Sequence, residues 1–223
     1  MTKHSGNLFT RLRAACAADW QAYTGHEFVR ALGDGSLPEP AFRYYLGQDY
    51  LFLIHFARAY GLAVYKADAL DDMRAAAASL SAILDVEMDL HVKFCAGWGL
   101  DESTMAALPE DAATTAYTRY VLEAGQAGDL LDLHTALAPC IVGYAEIGAT
   151  LAASGRLTGN PYREWIEMYA GADYQHVAQE EIETIERLGA RRGGDARFDN
   201  LARTFGMATR LEADFWQMGL DAG

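Results

Sequence analysis

Residues 129–153 read DLLDLHTALAPCIVGYAEIGATLAA, and their periodicity decides the fold class. Leu133, Leu137, Cys140, Tyr144, Ile147 and Leu151 recur every three or four positions, which places them on one face of a helix. The same spacing continues through the rest of the chain, where Ala, Leu, Glu and Arg dominate and only five prolines occur. No stretch alternates as a strand does. The pattern predicts helices over about 7–23, 27–32, 39–67, 71–98, 109–124, 129–153, 161–170, 173–188 and 195–218. Gly33-Asp34-Gly35-Ser36 reads as a turn, Asn160 before Pro161 as an N-cap ahead of a first-turn proline, and Gly189 as the residue after a helix end. Without a low-complexity linker or an internal repeat, residues 1–223 read as a single all-α domain.

Composition narrows the partners. Eighteen Lys and Arg against 31 Asp and Glu give a formal net charge of -13, which repels phosphate backbones and anionic headgroups. The expectation is therefore no nucleic acid and no membrane partner. The first twenty residues lack an apolar run of signal-peptide or membrane-spanning length, so the expected location is cytoplasmic. Cys16, Cys95 and Cys140 are odd in number and far apart, a pattern of single thiols rather than a disulfide framework or a zinc site.

Polar groups interrupt three apolar stripes. On the helix over 39–67, Phe42, Tyr45, Phe52, Phe56, Ala59 and Ala63 share a face with Asp49. A carboxylate there costs several kcal/mol unless it is paired, protonated or open to a polar cavity. A structural pairing and a functional role explain it equally well. Cys140 and Tyr144 lie on one face beside Pro139, which removes a backbone donor from the Thr135 carbonyl and is expected to kink the helix. A lone inward cysteine is more often a small core hydrophobe than a nucleophile, and spacing does not decide between them. On the last helix Phe205, Ala208, Phe215 and Gly219 align with Glu212. If that carboxyl is buried it can exchange a proton near neutrality, whereas Leu211 in the core position would leave it solvated. Tyr117 and Tyr120 line up with Ala113 and Ala124 on another inward face, and buried tyrosine hydroxyls need partners.

Four ordered segments carry a resemblance to a known family. Phe42-Arg43-Tyr44-Tyr45-Leu46-Gly47-Gln48-Asp49 with His55-Phe56-Ala57, Leu137-Ala138-Pro139-Cys140 with Tyr144-Ala145-Glu146-Ile147-Gly148, Asn160-Pro161-Tyr162-Arg163-Glu164-Trp165-Ile166 with Tyr169, and Glu212-Ala213-Asp214-Phe215-Trp216 together resemble TenA/thiaminase II, in its cysteine-containing branch of aminopyrimidine aminohydrolases. The resemblance spans nearly the whole chain. It implies an all-α, haem-oxygenase-like helical bundle assembled as a homotetramer, acting on a small-molecule pyrimidine in thiamine salvage without a cofactor or metal. By motif position it implies Cys140 as nucleophile and Glu212 as acid/base. Asp49 would hold the pyrimidine, Tyr117 and Tyr169 would hydrogen-bond beside it, and Tyr144 and Phe215 would line the ring site. Phe52, another implied ring neighbour, stands where many members carry tyrosine; it keeps the ring and loses the hydroxyl.

Two rival functions share the fold class. A non-haem di-iron oxidase needs two carboxylate–histidine units plus further glutamates, for which Glu87 with His91 and Asp173 with His176 are the available pairs. A regulatory, protein-binding role is the other; the acidic charge and lack of a basic recognition helix oppose direct DNA contact.

Overall fold

The computed structural model describes residues 6–155 and 157–223, and among these every regular element is helical. The helices are α1 (Leu8–Ala15), α2 (Ala17–Thr24), α3 (Glu27–Asp34), α4 (Glu39–Lys66), α5 (Leu70–Ala82), α6 (Met88–Gly97), α7 (Glu102–Ala106), α8 (Ala112–Ala127), α9 (Leu130–Ala153), α10 (Arg163–Ala170), α11 (Ala172–Arg191) and α12 (Phe198–Asp221). The all-α expectation is met, with local differences. The helix expected over 7–23 breaks at Cys16, whose backbone leaves the helical region (φ -121°, ψ 33°). The one expected over 71–98 contains a π-turn, Ile83–Glu87, between α5 and α6. The short α7 went unforeseen; Asp101 caps it by accepting from the Thr104 N–H at 2.8 Å. Gly189 lies inside α11, which runs on to Arg191, rather than after it, and packs where a side chain would strike Leu8.

The contacts divide the chain into two compact units. One takes residues up to Leu37 and His134–Trp216; the other takes Pro38–Leu133 and Gln217–Gly223. In the first unit, Phe9, Trp20 and Phe205 pack ring against ring, with Trp20 and Phe205 stacked at 5.7 Å. The Glu186 carboxylate accepts from the Leu8 and Phe9 N–H groups at 2.9 and 2.8 Å, which ties α11 to the donor-rich start of α1. Asn160 is a bracket rather than a helix cap. Its amide donates to the carbonyls of Leu32 and Gly33 at the end of α3, and its oxygen accepts from the Tyr162 N–H. The predicted turn closes on Gly35, whose φ of +79° suits a residue without Cβ.

α9 runs unbroken through Pro139, and the Pro139 carbonyl takes a hydrogen bond from Tyr23 Oη at 3.3 Å. By length and composition α9 is apolar enough to cross a membrane, but 61% of that apolar window is buried inside the protein, as in a core helix. It meets α10 at Gly148, where a Cβ would lie 2.6 Å from the Tyr169 carbonyl carbon, so only glycine allows this approach. His134 on α9 bonds Glu181 on α11 at 2.9 Å, both buried.

In the second unit α4 packs against α5, α6, α7 and α8. Gln48 fastens it to the start of α8. Its amide donates to the Pro109 carbonyl at 3.0 Å, and its oxygen accepts from the Asp111 N–H at 2.9 Å and Thr114 Oγ1 at 2.7 Å. Tyr44 Oη donates to the Asp111 carboxylate at 2.9 Å, while His55 meets Glu110 at 2.7 Å. At the other end Lys66 Nζ donates to the carbonyls of Gln126 and Gly128, both at 2.8 Å, completing the C-terminus of α8.

Candidate active site

The predicted residues fall in both units. In the second, Asp49 on α4 is 7% exposed, and Phe52 follows it by three residues on the same face. The Phe52 ring packs against Tyr117 of α8 with centroids 5.2 Å apart, and Tyr117 is fully buried. The inward face of α8 is rotated from the expected one: Thr114, Tyr117, Thr118, Val121 and Gly125 are buried, whereas Tyr120 is half-buried. Threonines take core positions here because their hydroxyls are satisfied locally, Thr114 by Gln48 and Thr118 by the Thr114 carbonyl at 2.7 Å.

Asp49 has neighbours that its own stripe did not announce. His91 on α6 places Nδ1 3.5 Å from Asp49 Oδ2, and its Nε2 lies 3.1 Å from the Leu46 carbonyl oxygen. Burial pushes the Asp49 carboxyl up to about 7. The same cause, reinforced by Asp49, raises Glu87 at the end of the π-turn and pushes the Cys95 thiol up to about 12. Burial depresses His91, against the opposing pull of the Leu46 carbonyl. A thiol held that high is not a nucleophile near neutrality, so Cys95 behaves as a core hydrophobe.

In the first unit, Cys140 and Tyr144 lie one turn apart on α9, the thiol half-buried and the ring 4% exposed. Tyr144 packs against Tyr169 of α10 at 5.0 Å, edge to face, and against Trp216 of α12 at 5.1 Å. Trp165 completes this aromatic cluster, 4.5 Å from Tyr169. Gln175 holds the turn between α10 and α11, donating to the carbonyls of Ala145 and Tyr169 at 2.8 Å each. On α12, Glu212 is 1% exposed and Phe215 2%, while Leu211 is half-buried, so the carboxyl and not the leucine takes the core position. All three cysteines are thiols rather than disulfides.

Within their units these side chains combine a half-buried thiol, a buried carboxyl and packed aromatic rings on one hand, and a buried carboxyl beside an imidazole on the other. Those side chains are of the kinds that covalent and acid–base chemistry uses. The helical pairs considered for a di-iron centre have other partners. His91 faces Asp49, and His176 is exposed and pairs with Glu180 at 3.3 Å. Sequence periodicity missed His91 as a neighbour of Asp49; the one signal was its position four residues after Glu87.

These residues lie on an all-α protein whose apolar helix faces carry buried polar groups, and comparison with known proteins makes its class specific. The chain belongs to the TENA/THI-4/PQQC family, whose model matches residues 13–222. It is 37% identical to an aminopyrimidine aminohydrolase of Halalkalibacterium halodurans, over 89% of both chains. Among solved structures, a protein described as a TenA family transcription regulator from a Silicibacter species is 46% identical, with a TM-score of 0.88 over 99% of each chain. A TenA homologue from P. horikoshii superposes with a TM-score of 0.90 at 26% identity, covering 98% of this chain and all of the other.

Proposed function

We propose that the protein is an aminopyrimidine aminohydrolase of thiamine salvage, converting 4-amino-5-aminomethyl-2-methylpyrimidine and water into the hydroxymethyl pyrimidine and ammonia. The observation that carries the reading is a pair of carboxyls, Asp49 and Glu212, buried on otherwise apolar helix faces. It is supported by the likeness to a named aminopyrimidine aminohydrolase over 89% of the chain.

In the proposed mechanism the Cys140 thiolate forms a C–S bond to a ring carbon as Glu212 protonates a ring nitrogen, since a neutral pyrimidine resists attack otherwise. The electron pair then expels the amine from the methylene carbon, the nitrogen taking from solvent the proton that the added water returns in the next step, and leaving as ammonia. Water adds to the exocyclic methylene, the pair returns to the ring, and the C–S bond breaks to restore the thiolate. Glu212, having given its proton, recovers one from the ring nitrogen. The family resemblance supplies the remaining roles: Asp49 for the amino edge of the pyrimidine, Tyr117 and Tyr169 as hydrogen-bonding neighbours, and Phe52, Tyr144 and Phe215 as ring neighbours. With a thiazolium in place of the amine the same steps cleave thiamine.

The test is to assay ammonia release from the aminomethyl pyrimidine, with thiamine as a competing substrate, for wild type and Glu212→Gln. Release by wild type and its loss in the variant are expected; no release by wild type would overturn the reading. The regulator description of the Silicibacter relative supports a second role, which a gel shift at physiological salt checks for its direct form.

A further inference from the structure

The Asp49 carboxyl stands beside a histidine whose protonation pattern is dictated by a third group. A carbonyl oxygen only accepts, so the contact of His91 Nε2 with Leu46 O at 3.1 Å requires the proton on Nε2. In a neutral imidazole this leaves a lone pair on Nδ1, aimed at Asp49 Oδ2 3.5 Å away. Two lone pairs cannot face each other across a buried gap without repulsion, so one proton must reside between the two groups.

We propose that His91, tethered through Nε2 to the Leu46 carbonyl, is the positioning residue that keeps a proton on Asp49 by accepting it at Nδ1, so that Asp49 meets the pyrimidine as a neutral acid. This rests on the aminopyrimidine reading and deepens it. A 4-aminopyrimidine edge offers a ring-nitrogen acceptor beside an amino donor. A neutral carboxyl offers the complementary O–H donor and carbonyl acceptor, whereas a carboxylate would set an anionic oxygen against the ring-nitrogen lone pair. At 3.5 Å the contact is beyond the length of a strong hydrogen bond, so the O–H can be shared with the ring nitrogen as a three-centre bond while a proton still lies between Asp49 and Nδ1.

The surroundings favour the neutral arrangement over an ion pair. Both side chains are 10% exposed, and separating charge there costs desolvation on both partners. Among the described residues His91 is the only group in ion-pair reach of Asp49. The other ionisable groups acting on Asp49 are Glu87 and Cys95, from the π-turn and α6, and neither supplies a positive charge. Of the remaining elements packed on α4, α5 carries the buried Asp72 and pairs Arg74 with its own Asp71, α7 turns Glu102 to Tyr50 Oη, the turn before α8 brings Glu110 to His55, and α8 turns Arg119 to His55 and Tyr117 to Phe52. The upward displacement of Asp49 and the downward displacement of His91 agree with a proton seated on oxygen.

The experiment follows the proton in the ligand-free protein and then in the complex. In wild type, nitrogen NMR of labelled histidine, with His91 assigned by its loss in His91→Gln, is expected to show Nε2 protonated and Nδ1 as an acceptor near neutrality. A proton on Nδ1 would overturn the proposal without touching the catalytic reading. In His91→Gln the amide nitrogen can keep the Leu46 tether while the imidazole acceptor is exchanged for a weaker amide oxygen. Carbon NMR of labelled aspartate, assigned with Asp49→Asn, is expected to show Asp49 titrating lower by about half to one pH unit, the worth of one hydrogen bond. The alkaline limb of hydroxymethyl-pyrimidine binding should move with it, leaving affinity on the acid side unchanged. Affinity lowered equally at every pH, with the Asp49 titration unmoved, would show a merely structural histidine. Should His91→Gln fail to fold, the assignment passes to comparison with variants of the other histidines, and the wild-type tautomer alone decides the matter. Absence of any pyrimidine binding or turnover in wild type would instead defeat the aminopyrimidine reading, while the ligand-free titrations still judge His91.

Discussion

Replacing Asp49 by asparagine should change how stability depends on pH, because burial raises the Asp49 carboxyl above its ordinary range. The carboxyl ordinarily titrates at 3.8, and burial raises it to about 7 in the folded protein. A raised native value means that the folded state binds this proton more tightly than the unfolded chain does. The stabilisation is therefore complete below about 3.8 and is lost as pH rises through about 7. The interval is about three units at roughly 1.4 kcal/mol each, or about 4 kcal/mol in all. Asparagine matches the neutral acid in size and does not titrate. Urea unfolding followed by far-ultraviolet circular dichroism at pH values from 4 to 8 should thus show wild type losing stability relative to Asp49→Asn by about 4 kcal/mol across the range. The two contribute most nearly alike at the acid end. A difference between the proteins that stays constant with pH would refute the claim that Asp49 is buried and protonated.

Two further substitutions test how the scaffold is held. Gly148→Ala places a methyl 2.6 Å from the Tyr169 carbonyl carbon and 2.7 Å from the Ala170 nitrogen, backbone atoms that yield only if α9 and α10 move apart. A loss of about 1–3 kcal/mol is expected in denaturant unfolding, and unchanged stability would mean the approach of those helices is not tight. Gln48→Leu strips partners from the Pro109 carbonyl, the Asp111 N–H and the Thr114 hydroxyl, which should cost about 2–4 kcal/mol. The corresponding fall in melting temperature is on the order of 5–15 °C, and a fall within error would remove Gln48 as the fastener of α4 to α8.

Period and polarity made much of this legible before any coordinates. Asp49 and Glu212 broke stripes spaced at three and four residues, and both are buried. Leu211 competed with Glu212 for the core position and periodicity left the two open; the structure buries Glu212 on the face of Phe205, Ala208 and Phe215 and leaves Leu211 half-buried. The same reasoning misplaced the face of α8. It lined up Ala113, Tyr117, Tyr120 and Ala124, whereas Thr114 and Thr118 join Tyr117 in the core because each hydroxyl is satisfied on Gln48 or on a helix carbonyl. Breaks within helical sequence were also hidden. No proline or glycine marks Cys16, and nothing in Ile83–Glu87 departs from helix-forming composition, so the end of α1 and the π-turn arise from packing rather than from propensity. His91 was invisible as the companion of Asp49 because 42 positions of sequence separate them. A period identifies an inward face and says nothing of which inward faces meet.

The most direct measurement is ammonia release from 4-amino-5-aminomethyl-2-methylpyrimidine by wild type and by Cys140→Ala, with circular dichroism establishing that both are folded. The account predicts steady release by wild type and none above background by the variant, since no other thiol in the chain stands on the face with Tyr144. Release by Cys140→Ala at the wild-type rate would contradict the assignment of Cys140 as nucleophile and the covalent mechanism built on it.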